Sequence, residues 1–277
     1  MTQAYKKLIR AHASSDGDGV KIQRVALFNE ALSDPFLMID ELRSDNPDDY
    51  IGGFPPHPHR GMETLTYLIQ GGLEHRDHMG NRGMIHSGGA QWMSAGRGVI
   101  HSEMPSLEMD GLHGFQLWIN LPAAEKMQDP AYRDVPASDI PQVQSQSGVS
   151  LKLIAGQWTI DGEQFSAPLS RMAADAGIAD VQIAAGQSLT LPLKAGYQAM
   201  AFMYDGNLKG LNQGKALVVF NTEGDQIVLE AEQDCRLLLL SGRPLQEPVA
   251  HYGPFVMNTV EEIQQAIADY NAGRFGN

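Results

Sequence analysis

Between residues 64 and 121 glycine-centred turns recur every few residues, and the segments between them are rich in Thr, Tyr, Leu and Ile. Residues 64–70 lead through Gly71-Gly72 into Leu73-Glu74-His75-Arg76. Met79-Gly80-Asn81 and Ser87-Gly88-Gly89 bracket a short segment at 82–85, and further strand-like segments follow at 90–94, 99–104 and 115–121. Segments this short leave no room for a long amphipathic helix, and their regular spacing points to a sandwich or small barrel. The second half has the same character, with strands expected at 151–155, 181–184, 188–193, 197–204, 216–220, 226–230 and 236–241. One helix is expected at 261–270. Thr259 and Glu262 form a capping box ahead of it, and Gly273 can end it.

The rest is less regular. Residues 1–50 read as a short strand, a turn and an irregular lead-in, and the apolar run within 32–45 suits strand or helix. An EF-hand loop starting at Asp16 would need Asp or Asn at position 20 and Glu at 27; Val20 and Leu27 stand there, so SSDGDGV is a turn. Residues 123–141 are polar, with Pro130, Pro136 and Pro141, and read as a connection between domains.

A chain of 277 residues suits one large domain or two of ordinary size. A net charge of −13 without a basic block argues against direct nucleic-acid binding, whose affinity comes largely from basic side chains. Cys235 is the sole cysteine, which excludes an intrachain disulfide and fits a reducing compartment. The first residues lack the apolar core of a signal peptide, and no run approaches the roughly 18 apolar residues of a membrane span. A cytoplasmic protein is the resulting expectation.

Within this β framework lies FPPHPHRGMETLTY and, further on, GGAQWMSAGRGVIHSEMP. His57 and His59 are two residues apart, as are His101 and Glu103. Alternation along a strand puts each pair on one face, and two such strands side by side would bring four ligands round one point. Imidazole with carboxylate suits Fe(II), Mn(II), Ni(II), Cu(II) or Zn(II) better than Ca(II) or Mg(II). Strand parity admits Glu63 as a rival carboxylate.

The other histidines carry less. A lone histidine among strands is usually a satisfied core or surface residue, and His75, His78 and His86, on or beside turns, read as solvated loop residues. His113 shares parity with Phe115, Leu117 and Ile119 and suits an interior, while His251 stands alone in the second half. Gly96-x-Gly98-x-x-His101 lacks the third glycine of a dinucleotide fingerprint and opens a strand. Ser102 points away from its neighbour His101 and forms no catalytic pair with it. The 13 methionines read as core filler, and Cys235 as a half-buried structural thiol.

The halves also repeat. At an offset of 134, Leu191-Pro192-Leu193 falls on His57-Pro58-His59 and Asp205-Gly206 on Gly71-Gly72. One residue further, Gly224-Asp225-Gln226 falls on Gly89-Ala90-Gln91, Arg236 on His101 and Leu238 on Glu103. The expectation is two similar domains, 1–135 and 136–277, of which only the first keeps metal ligands.

His57-x-His59-x-x-x-Glu63 followed by Gly98-x-x-His101 resembles the two cupin motifs. Gly96-Arg97-Gly98 departs from the usual Pro-x-Gly turn of that pattern. With EHRD, QWMSAGRGVIHSEMP, FQLWINLP and GPFVMNTVEEIQQAIADYNAGRFG, the chain is similar to the pirin family from about Asp34 onward. The resemblance implies an all-β bicupin: two stacked cupin-type β-barrels (double-stranded β-helix) with a short C-terminal helix. It also implies one divalent metal in the first barrel, iron before Mn, Ni, Cu or Zn, held by His57, His59, His101 and Glu103. Some members of the family oxidise flavonols such as quercetin with O2, which makes a flavonol-like aromatic compound and O2 the expected substrates and Glu103 the expected base. Others bind transcription or metabolic proteins as regulators, which is the alternative expectation.

Overall fold

The computed structural model describes residues 5–107, 110–211, 214–221 and 224–275. The chain divides into two compact units, neither of them one continuous stretch. One comprises Met1–Ala11, Glu30–Pro35 and Asp139–Pro244; the other comprises His12–Asn29, Phe36–Ser138 and Leu245–Asn277. One switch between the units falls at Ser138/Asp139, and each unit also takes in a segment from the far end of the chain.

The unit that contains the histidine motif is built on two sheets. Its seven-stranded sheet runs Ala131–Val135, Ala90–Ser94, Met62–Gln70, Leu112–Asn120, Phe36–Ser44, Val20–Ala26, His12–Asp16. Its four-stranded sheet runs Phe54–His59, Val99–Pro105, Gly72–Asp77, Arg82–His86. The undecided apolar run near residue 36 is thus an interior strand of the sheet, and SSDGDGV turns a hairpin from His12–Asp16 into Val20–Ala26. Residues 123–141 are not only a connection. Ala131–Val135 pairs antiparallel with Ala90–Ser94, and the alternation of Tyr132, Asp134 and their neighbours gave no apolar signal to mark it.

Register decides which side chains face inward. Gln116 stands opposite Thr66 on one neighbour and Asp40 on the other, and Trp118 opposite Thr64 and Met38. Directly opposed residues share a face, so Thr64, Thr66, Gln116, Trp118, Met38 and Asp40 form one side of the sheet. Glu63, paired with Ile119 and Ser94 with no register break before Thr66, belongs to the other. His113 lies away from the Gln116 and Trp118 side too. It is buried as expected, with its Nε2 3.2 Å from Glu41 Oε1.

The helix Val260–Asn271 has the expected capping box: Thr259 Oγ1 accepts from the Glu262 amide, and Glu262 accepts from the Thr259 amide. It packs Ile263 and Ala266 against Phe255, Met257 and Phe275 within the histidine-bearing unit. Among the described residues no helix is long and apolar enough to cross a membrane.

The other unit has a seven-stranded sheet in the order Tyr5–Arg10, Ala216–Phe220, Gln198–Asp205, Cys235–Gly242, Gly177–Ile183, Ser150–Ala155, Gln142–Gln144. The antiparallel pair Ser188–Pro192 with Gln226–Glu230 and the hairpin Gln157–Ile160 with Glu163–Ser166 complete it. Its topology corrects the repeat. Cys235–Gly242 sits between Gln198–Asp205 and Gly177–Ile183, as Leu112–Asn120 sits between Met62–Gln70 and Phe36–Ser44. The counterpart of Val99–Pro105 is therefore Gln226–Glu230, which pairs with Ser188–Pro192, and not the strand containing Arg236 and Leu238. An ungapped slide fails because residues 71–89 hold an extra hairpin, whereas the corresponding connection is only residues 206–215. By the registers of the two strand pairs, Leu189, Leu191, Leu229 and Ala231 stand where His57, His59, His101 and Glu103 do, all in a continuous apolar core. Cys235 belongs to that core, and burial, with Asp205 adding to it, pushes its thiol up to about 12.

Candidate metal centre

His57 and His101 face each other across the pair Phe54–His59 and Val99–Pro105, with His59 one alternation further along. Three prolines in FPPHPH remove backbone donors, which an edge strand tolerates, and this strand is the edge of its sheet. The pairing slips between His101 and Glu103, so that Glu103 meets Phe54 and the extra residue lies on the proline side. Such a bulge re-aims a side chain.

One ring nitrogen from each of His57, His59 and His101 lies within 4.8 Å of the other two. The His57 ring is 4.4 Å from that of His101 and 4.8 Å from that of His59, centroid to centroid. The His57 Nδ1–H donates to the Pro55 carbonyl at 2.8 Å, which leaves Nε2 as its lone-pair nitrogen. His59 is buried with neither ring nitrogen in hydrogen-bonding geometry, although the Pro254 backbone lies close enough to favour its charged form. His101 Nε2 is likewise buried and unpartnered. Burial first, then the neighbouring imidazoles, push the His59 and His101 pKa values well below the usual histidine range. Buried nitrogens without partners are costly, and neutral imidazoles are the form that binds metals. These residues fit a divalent transition ion: three imidazoles converge, and the buried ring nitrogens of His59 and the Nε2 of His101 have nothing else to bond.

Glu103 is not in that 4.8 Å group. It is buried at the same cavity, where Oε1 contacts Thr66 Oγ1 at 2.9 Å and Oε2 accepts from Gln116 Nε2 at 3.1 Å. Glu63 is buried on the opposite side of the sheet, by the register above.

The cavity measures about 750 Å³, well within the span typical of small-molecule sites. Beyond the histidines it is walled by Trp118, whose ring stands edge-on to His59 at 5.2 Å, and by Phe28 and His251, stacked at 4.0 Å. Arg24, also in the wall, donates twice to Asp40 and once to Asp16, and the Asp40 carboxylate holds the guanidinium charged. His251, isolated in the sequence, is thus a cavity residue. His75, expected as a solvated loop residue, is instead fully buried: it lies in the strand Gly72–Asp77 opposite Glu103, and burial lowers its pKa. The inward parity it shares with Leu73 was the available signal. His78, which accepts from the Ile100 amide, and His86 are exposed, as expected.

Fold and site together define a two-domain cupin protein with a three-histidine cluster suited to a metal in one domain. The family model described as Pirin matches residues 19–119, and that described as Pirin C-terminal cupin domain matches residues 178–276. A Vibrio cholerae protein named "Putative quercetin 2,3-dioxygenase" is 50% identical over 98% of this chain and 96% of its own. A pirin-like protein of Caulobacter vibrioides is 42% identical over 97% of this chain and 98% of its own. The crystal structure of quercetin 2,3-dioxygenase from Acinetobacter baumannii has a TM-score of 0.89 and 32% identity, covering 100% of this chain and 99% of that one. The chain belongs to the pirin family.

Proposed function

We propose that this protein is a dioxygenase that opens the heterocycle of flavonols such as quercetin with O2, releasing CO. His57, His59 and His101 hold one Fe(II), with Glu103 as the fourth ligand. The observation that carries the reading is the convergence of three imidazoles, with His59 and the Nε2 of His101 buried and unpartnered, at the end of an aromatic-walled cavity that Glu103 also lines. The printed names of the Vibrio and Acinetobacter relatives support the substrate class.

Bound there, the metal supplies Lewis acidity toward an enol oxygen and a redox-active centre for O2. The flat rings of a flavonol find edge and face partners in Trp118 and the Phe28–His251 stack. Glu103 is the base for the 3-hydroxyl proton, and its surroundings suit that task. Thr66 Oγ1 has one hydrogen but two acceptors within reach, Glu103 Oε1 at 2.9 Å and Gln116 Oε1 at 2.5 Å. A proton on Glu103 Oε1 resolves this. Glu103 then donates to Thr66, Thr66 donates to Gln116, and Gln116 Nε2 donates back to Glu103 Oε2. The ring of three side chains is complete only when Glu103 carries the proton that the reaction gives it.

The test is anaerobic loading with Fe(II), followed by O2 uptake and CO release across a panel of flavonols and small enols. Turnover near the median enzyme rate of about 10 per second is expected with flavonols. If none consumes O2 with the iron in place, the dioxygenase reading fails, and an iron-dependent regulator that binds another protein becomes the function to pursue.

A further inference from the structure

Behind His101, on the side away from His57 and His59, stands a second imidazole that takes no part in the function proposed above. His75 Nδ1 lies 3.3 Å from His101 Nδ1, and the two rings are 5.0 Å apart. His75 is fully buried, and its Nε2 has no partner. Its ring stacks on Tyr132 at 5.3 Å and 17°. The Tyr132 hydroxyl is tied to Asp134, which also accepts from Gln91. Gly83 closes the arrangement, since a Cβ there would come within 2.4 Å of Asp134 Oδ2 and 2.8 Å of the Tyr132 hydroxyl. The His75 ring is therefore held by stacking, and among the described residues its one hydrogen-bonding contact is His101.

A single hydrogen lies between the two Nδ1 atoms, and its location decides what His101 can do. If it sits on His75, His101 must carry its own hydrogen on Nε2, a buried nitrogen next to the other two imidazoles, and cannot ligate. If it sits on His101, the ring donates to His75 and presents a bare Nε2 to the cluster. Ligating histidines generally donate their second nitrogen to an acceptor that fixes tautomer and ring angle. His57 does so to the Pro55 carbonyl. We infer that His75 is the positioning residue for His101, an imidazole acceptor that locks the Nδ1–H tautomer and so makes Nε2 a metal ligand. A neutral imidazole is a weaker acceptor than a carboxylate, so it orients His101 without the added basicity that a carboxylate partner gives a ligand.

This inference rests on the three-histidine metal site, and Co(II) binding to the metal-free full-length protein separates the two. His75→Leu removes the acceptor but keeps an apolar side chain of similar size. His75→Asn places an oxygen close to where Nδ1 was, and His75→Gln places one near Nε2, out of reach of His101. Co(II) affinity should fall about 10- to 100-fold in the leucine variant, while its metal-free melting temperature stays near that of the parent. The asparagine variant should recover most of the affinity and the glutamine variant should not. In proton NMR of the Co(II) protein, the hyperfine-shifted, exchangeable Nδ1–H signal of His101 should persist in the parent and the asparagine variant and be lost to solvent exchange in the leucine variant. Equal affinity of parent and leucine variant would overturn the inference and leave the metal site standing. Equal loss in the asparagine and glutamine variants would make the role one of packing and overturn it too, and that comparison decides the matter if the leucine variant does not fold. No Co(II) binding by the parent would overturn both the inference and the site.

Discussion

At Glu103 the hydrogen-bond ring with Thr66 and Gln116 makes one substitution unusually informative. Glu103→Gln can donate to Thr66 Oγ1 as a protonated carboxyl would, so the ring and the local structure should survive while the base is lost. Loss of a general base typically costs about 10²- to 10⁴-fold in rate. Fe(II) should remain bound through three imidazoles, more weakly. Glu63→Gln, on the far side of the sheet, is the matched control and should leave flavonol-dependent O2 uptake within a few-fold of the parent. Iron content and O2 uptake of both variants, reloaded under nitrogen, check this; full activity of Glu103→Gln beside loss of activity in Glu63→Gln would reverse the assignment. Much of this site was legible in the chain, because two-residue spacing in a strand fixes a face before any partner is known. The choice between Glu63 and Glu103 was not, since it depends on the register of Met62–Gln70 against Leu112–Asn120. His75 was missed for the same reason: its contact with His101 spans 26 residues and two strands.

Among the elements, two clamps hold the ligand strand to the C-terminal segment. Directly after His59, Arg60 donates to Asp269 of the helix at 2.9 Å and to the Arg97 carbonyl, and its guanidinium lies 4.5 Å over the Phe275 ring. Asp269→Ala would strand a nearly buried guanidinium and should cost about 1–3 kcal/mol, below the full price of a buried pair because Asp269 is partly exposed. Hydrogen bonding to Arg60, then to Gln265, holds the Asp269 carboxyl below its ordinary range. The folded state therefore binds this proton less readily than the unfolded state. The stabilisation is present above about pH 4 and is lost as pH falls through the folded pKa. Amide exchange across Val260–Asn271 should accelerate there, and the alanine variant should show this acceleration already at neutral pH.

The second clamp is Lys126. Its Nζ, almost wholly buried, donates to the Gly61 carbonyl, Asn120 Oδ1 and the Val256 carbonyl. Gly61 cannot be exchanged to relieve it, since its φ is +79° and a Cβ would meet the Val256 oxygen at 2.1 Å. Lys126→Met leaves three acceptors without a donor and should cost about 1–3 kcal/mol at pH 7. Burial lowers the Lys126 pKa to about 8, against roughly 10.4 in the unfolded chain. Between those values the unfolded state holds a proton that the folded state has lost. The parent's advantage over the methionine variant should therefore widen with rising pH, by less than about 1.4 kcal/mol per pH unit. Urea midpoints at pH 7, 8, 9 and 10 measure it, and a gap that does not move with pH would show that the lysine is not depressed. The C-terminal helix itself was plain in the sequence, because a capping box is local. That its partners are Arg60 and Phe255 was not, because nothing within a dozen residues of the helix points to the ligand strand.

For the whole molecule, the consequence is that the histidine-bearing unit draws on segments from both halves of the chain. The polar, proline-bearing stretch 123–141 and the repeat between the halves lead to an expected boundary after residue 135, and a cut there would take from this unit the segment Leu245–Asn277. With it would go His251 against Phe28, the Val256 carbonyl that accepts from Lys126, and Asp269 on Arg60. The loss would leave Arg60 and Lys126, two buried cations, without much of their compensation, a mechanism that ranks among the most destabilising single events in a fold. A fragment of residues 12–138 should therefore be poorly folded and hold Co(II) far less tightly than the intact chain. Supplying residues 245–277 as a separate peptide should restore both, because the missing contacts are noncovalent and confined to that segment. Circular dichroism and Co(II) titration of the fragment, with and without the peptide, give the answer. A fragment that is cooperative and metal-tight on its own would mean that the C-terminal segment is an accessory to this unit and not part of its core.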